Sequence, residues 1–140
     1  MVSDCGSSPP PPTILVLRLS ASPNVNPDSG GVPKPLRVRV LQLASTKALS
    51  QADFLAVDAD PGKAPGPDRL AAEDLVVTPG QTIPVDSEAT PGTRFVGVVG
   101  GYFAFDRAQW RAWGPIKPNV KDAYVARFGA TEVVLTEGSA

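Results

Sequence analysis

Histidine is absent from this 140-residue sequence, and cysteine occurs once, at Cys5. Those two facts exclude intrachain disulfides, Cys/His zinc sites and every Ser-His or Cys-His nucleophile arrangement. There is no excess of basic charge either, since 13 Lys+Arg stand against 14 Asp+Glu for a net charge of −1. Phosphate neutralisation needs a basic footprint, so nucleic acid is not an expected partner. Apolar runs are short: the longest, Ile14 to Leu17, is strand-sized and far from the roughly 18 residues of a membrane-spanning helix, so the folded body is expected to be soluble. Neither G-x-S-x-G nor S-x-x-K frames a nucleophile. Asp58 and Asp60 begin like a calcium loop, but Gly62, Lys63 and Arg69 stand where that loop needs other residues. Glu73 and Asp74 are neighbours that would diverge on a helix, which is poor geometry for an acid and base pair. No enzyme, metal or cofactor is expected.

What the sequence has in quantity is punctuation. With 16 prolines and 13 glycines, the chain is cut into pieces that suit many short strands. At 14.6 kDa it fits one domain able to bury roughly two thirds of its unfolded surface. The alternation in TILVLRLSA puts Leu15, Leu17, Leu19 and Ala21 on one face, and PLRVRVLQL puts Leu36, Val38 and Val40 inward with Arg37 and Arg39 in solvent. Both read as half-buried antiparallel strands. TRFVGVVGGYFAF is apolar on both faces, with Phe95, Val99 and Phe103 opposite Val96, Val98 and Tyr102, and reads as a central strand. Its glycines lack G-x-G-x-x-G spacing, so Gly97, Gly100 and Gly101 are expected to allow a bulge or close packing between layers. DAYVARF and TEVVLTE read as a terminal hairpin joined by a two-residue turn at Gly129 and Ala130.

Helix signals are few. Ser50 as cap, Asp53 three residues on, and Leu49 with Phe54 at staple positions predict about two turns over Gln51 to Val57. A second helical turn is expected from Asp68 in PDRLAAEDL. The middle of the chain is thus two short helices inserted after the second strand of a β-sandwich. Trp110 is expected to cover the core, while Trp113 fits a core or an interface role equally.

Two stretches fit no element. Ser22 to Pro35 is a 14-residue connection between the first two strands, where hairpin loops usually take about two to five residues. Residues 1–12 carry Cys5 in DCGSSPPPPT, a tether composition ahead of a folded domain over 13–140. Cys5 is either a stray thiol on that tether or a lipid attachment site.

The segments LSASPNVNPDSGGVPKPLRVRVLQL and FVGVVGGYFAFDRAQWRAW together resemble the TssJ lipoproteins of the type VI secretion system. The N-terminal segment is similar to that family's first strand, N-P-D loop and R-V-x-x-L strand; the later segment is similar to its V-G-V-x-A-G-(Y/F)-R…W-R stretch. The resemblance runs from about Leu15 to Thr136. It implies a transthyretin-like two-sheet β-sandwich, all-β with small helical insertions. It also implies acylation of Cys5, anchoring at the periplasmic face of the outer membrane, and binding of the periplasmic domain of the inner-membrane protein TssM through the loop between strands one and two. On this chain that loop contact would be Asn24, Val25, Asn26, Pro27, Asp28, Ser29, Gly30, Gly31 and Val32, with Asn26, Pro27 and Asp28 shaping it and Val25 and Val32 offering apolar contact. Asn26 and Asp28 also suit plain turn-capping, which is compatible with that role.

Gly100 and Phe103 depart from the family pattern, which has alanine and arginine there. Only Met1, Val2, Ser3 and Asp4 precede Cys5, without a signal peptide, so a chain beginning this way is expected to stay unacylated and soluble. The alternative reading is a generic β-sandwich module of an envelope protein that binds a ligand or peptide.

Overall fold

A computed structural model describes residues 10–59 and 68–138. Along the chain these form β1 (Ile14–Ala21), β2 (Leu36–Leu43), α1 (Lys47–Gln51), α2 (Phe54–Ala59), β3 (Arg69–Val77), β4 (Thr82–Glu88), β5 (Phe95–Gly100), β6 (Arg111–Pro115), β7 (Lys121–Phe128) and β8 (Val133–Glu137). Two four-stranded sheets, ordered β4-β1-β7-β8 and β3-β2-β5-β6, make an all-β sandwich. Strand alternation supplies its core: Leu15, Leu17 and Leu19 from one sheet meet Leu36, Val38 and Val40 from the other, all buried. β5 is an interior strand of its sheet, as its two apolar faces require. The sheets are not wholly antiparallel, because β1 runs parallel to β7, Ile14 opposite Lys121 and Ala21 opposite Phe128.

The outer face of the β3-β2-β5-β6 sheet carries a second core. There Leu41, Leu43 and Val99 pack against Leu49 of α1 and Val57 of α2, with Phe95 half-buried beside them. Gly97 makes this close approach possible, since a Cβ there would lie 3.0 Å from methyl groups of Leu43 and Leu49. Arg39 lies on the same face and is only 8% exposed, contrary to the reading of a solvated arginine. Its Nη1 donates to the Val57 carbonyl at 2.7 Å and its Nε to Asp74 at 2.8 Å, so the helix end and the neighbouring strand satisfy the charge that burial would otherwise make costly. Trp110 is half-buried against both cores, edge-on to Phe54 at 5.2 Å, with the Arg111 guanidinium 4.5 Å from its ring centre. Trp113 is 39% exposed.

Four local expectations are corrected. The single helix over Gln51 to Val57 is two helices broken at Ala52 and Asp53. Ser50 sits inside α1 with its hydroxyl on the Lys47 carbonyl, and Asp53 receives the Leu55 N–H at the start of α2. The helical turn from Asp68 is instead strand β3, whose pairing with β2 overrides a helix-compatible composition; Asp68 receives the Ala48 N–H of α1. Glu73 and Asp74 therefore alternate along a strand and still do not converge. The terminal hairpin is present, but its connection spans residues 129–132, closed by the Gly129 N–H on the Glu132 carbonyl at 2.7 Å. Phe103, expected in the core, is 62% exposed because β5 ends at Gly100 and Tyr102 turns inward in its place.

Candidate functional site

β1 and β2 end and begin at Ala21 and Leu36, so the long connection is residues 22–35, as the sequence indicates. It is not slack. Ser22 accepts the Val25 N–H at 3.1 Å, a turn that drives Val25 into the main core with no exposed surface. Val25 is thus unavailable for the partner contact expected of it: its side chain fills the end of the sandwich, between the sheets. From Pro27 the chain doubles back as a small ribbon. Pro27 bridges Pro33, the Asp28 N–H donates to the Val32 carbonyl at 2.9 Å, and the Gly31 N–H donates to the Asp28 carbonyl at 2.9 Å. Gly31 takes φ +80°, the left-handed residue that closes a three-residue hairpin loop over Ser29, Gly30 and Gly31.

Asp28 organises the tip. One carboxylate oxygen accepts the N–H groups of Gly30 at 2.9 Å and Val32 at 3.0 Å, and the other lies 3.6 Å from the Lys34 ammonium. The Val32 N–H above all, with Gly30 and Lys34, holds the carboxyl below its usual pKa against a smaller opposing effect of burial. Ser29, Gly30, Gly31 and Val32 are exposed at this tip, and Asn24 is exposed lower on the loop, where it meets the Ser22 hydroxyl.

Asn26 ties the loop to the body. It is 6% exposed, with φ +49°, and its side chain is used at both ends: Oδ1 accepts the Phe103 N–H at 2.8 Å and Nδ2 donates to the Pro35 carbonyl at 3.0 Å. Its backbone N–H donates to the Ala130 carbonyl at 3.1 Å and its carbonyl accepts the Lys34 N–H at 3.2 Å. Tyr102 extends the network by donating its hydroxyl to the Glu132 carbonyl at 2.6 Å. Burial, and then the nearby Glu132 carboxylate, push that phenol far above its usual pKa, so it stays a donor. Residues 22–35, 101–109 and 129–132 are thereby locked into one end of the sandwich. The N-P-D motif marks the loop in the sequence, but nothing in the chain's periodicity pairs Asn26 with Phe103 across 77 positions.

At the other end, Ala89 donates to the Thr13 carbonyl at 2.8 Å, while Asn119, with φ +62°, donates its N–H to the Thr13 hydroxyl and its side-chain amide to the Pro11 carbonyl, both at 2.7 Å. Cys5 lies outside the described residues, as do Asp60, Gly62 and Lys63 of the calcium-like stretch. Among the described residues no three Asp, Glu, Cys or His side chains gather as metal ligands, and no helix is long and apolar enough to cross a membrane.

Comparison with known proteins places this architecture. The chain is similar to the T6SS lipoprotein TssJ1 from Pseudomonas aeruginosa, with a TM-score of 0.85, 28% identity, and coverage of 93% of this chain and 99% of that one. It is similar to Serratia marcescens Lip, a membrane-bound component of the type VI secretion system, with a TM-score of 0.80, 24% identity, and coverage of 91% and 100%. A chain of the structure described as the T6SS protein TssM C-terminal domain from EAEC shares the fold at a TM-score of 0.74 and 21% identity, over 88% of this chain and 97% of that one. No curated protein sequence matches. The family model described as "Type VI secretion lipoprotein, VasD, EvfM, TssJ" matches residues 13–131. With the sandwich and most of its sequence accounted for in this way, the chain belongs to the type VI secretion lipoprotein family.

Proposed function

We propose that this protein is the outer-membrane-anchored member of a type VI secretion membrane complex, facing the periplasm, and that it holds the periplasmic domain of TssM through the tip of the 22–35 loop. The role is one of attachment rather than chemistry. The carrying observation is the ribbon itself, in which Asp28 and Gly31 shape an exposed tip and Asn26 fixes it to the sandwich, so that little ordering entropy remains to be lost on binding. Family membership supports the setting, and a chain of this fold in the structure described as a TssM C-terminal domain supports the partner. The contact residues are Asn24, Ser29, Gly30, Gly31 and Val32, shaped by Asn26, Pro27 and Asp28. In this reading residues 1–12 are the tether and Cys5 carries the lipid. With a lipoprotein signal in front, Cys5→Ser should release the protein from the membrane fraction.

The test is to replace residues 28–32 by a short Gly-Ser linker, keeping Val25, Asn26 and Lys34, and to titrate the full chain with purified TssM periplasmic domain. Loss of binding by a variant with an unchanged far-UV spectrum is the expected result. Unchanged affinity in that folded variant would place the contact elsewhere.

A further inference from the structure

Phe103 has no part in either core. It is 62% exposed, follows directly on the buried Tyr102, and sits where its own N–H is held by Asn26. Single exposed apolar residues are ordinary on protein surfaces. Two features set this one apart. Its position is fixed from several sides: Gly101 donates to the Arg37 carbonyl at 2.8 Å, Tyr102 is pinned through its hydroxyl to Glu132, and Phe103 itself is tied to Asn26. An aromatic on so constrained a backbone presents a large apolar face with few torsions left to freeze.

The other feature is location. Asn26 lies opposite Lys34, Pro27 opposite Pro33 and Asp28 opposite Val32, so the residue that holds the Phe103 N–H is the base of the same ribbon that carries Val32 near its tip. Val32 is itself 52% exposed. The loop tip is otherwise small or polar, being Ser29, Gly30 and Gly31 around the Asp28–Lys34 pair. A contact built from the tip alone would lack a large side chain of the kind that dominates binding energy at many interfaces.

We infer that Phe103 supplies this side chain as the anchor: it extends the loop's contact surface onto the 101–109 segment and inserts into an apolar pocket on the same partner domain. The inference rests on the loop being the partner contact. It makes Asn26 a positioning residue for both halves of the surface, since one side chain holds the ribbon through Pro35 and the aromatic through the Phe103 N–H.

Purified TssM periplasmic domain is titrated against the full chain carrying Phe103→Ala, Phe103→Lys or Phe103→Leu, beside the 28–32 linker variant, with a thermal melt of each. Because the ring is mostly in solvent, the melting temperatures should move by less than about 2 °C. Phe103→Ala and Phe103→Lys should weaken binding by about tenfold or more, and Phe103→Leu, which keeps the apolar bulk, should stay within about threefold of the parent. If Phe103→Ala and Phe103→Lys bind like the parent while the linker variant does not, the anchor is overturned and the loop reading stands. If Phe103→Ala weakens binding while the linker variant binds normally, the aromatic contact stands and the loop reading falls.

Discussion

Each end of the sandwich is fastened by an asparagine in the left-handed region, and these are the two non-glycine residues with positive φ among the described residues, Asn26 at +49° and Asn119 at +62°. Asn119, at the end where the chain enters β1, is exposed and holds the carbonyl of Pro11 and the hydroxyl of Thr13. Asn26, at the far end of β1, is buried and joins three separate segments. The eight residues of β1 separate the two by about 25 Å. One fastening is made by an exposed side chain, the other by a buried one. The loop end is therefore the more heavily fastened of the two.

Removing the side chain at each position should give the largest effects. Asn26→Ala removes the partners of the Phe103 N–H and the Pro35 carbonyl, two part-buried bonds at about 1 kcal/mol each, and places alanine at positive φ for about 1 kcal/mol more. A total near 3 kcal/mol, roughly 10 °C in melting temperature, is expected by calorimetry. Asn26→Gly relieves the backbone but not the lost bonds and should recover only a small part of that loss.

At the opposite end Asn119→Ala should cost about 1 kcal/mol, mostly from placing alanine at positive φ, because the released groups regain water. Asn119→Gly should melt within about 0.5 kcal/mol of the parent. A loss at Asn119→Gly as large as at Asn26→Gly would mean the two ends are built alike.

The smallest effect sharpens the contrast without mutation. Asp28 has a folded pKa below its usual value, so its contribution to the tip is fully present above the unfolded pKa, about 3.9, and is lost as pH falls through the lower folded value. In an acid titration followed by amide chemical shifts, the Gly30 and Val32 N–H signals should move together below pH ~4, while that of Asn119 moves little. Movement of the Asn119 signal in step with Gly30 would show that the acid transition is global.

Much of this fold is legible in the sequence for a physical reason: β1 and the inward face of β2 bury alternating apolar residues, β5 is apolar on both faces, and both patterns are written locally. The long loop is legible for the same reason, bounded by Ala21 and Leu36. What the sequence hides depends on partners distant in the chain. Arg39 reads as solvated until α2 is laid across it. The stretch from Asp68 in PDRLAAEDL reads as a helical turn until β2 offers it an edge. Phe103 reads as core by strand periodicity, which fails where Tyr102 dives toward Glu132 and ends the alternation. Val25 reads as an apolar contact on an exposed loop, yet the Ser22 turn buries it. At the candidate site, N-P-D marks the loop and does not say that its asparagine faces inward.

On the proposed function the partner meets the loop end and not the entry end. This is tested most directly by placing a photo-crosslinking amino acid at Ser29, on the tip, and separately at Thr90, beside the Thr13 entry, and irradiating each protein with purified TssM periplasmic domain. A crosslinked complex is expected from position 29 and none from position 90. A complex formed from position 90 alone would contradict the proposal.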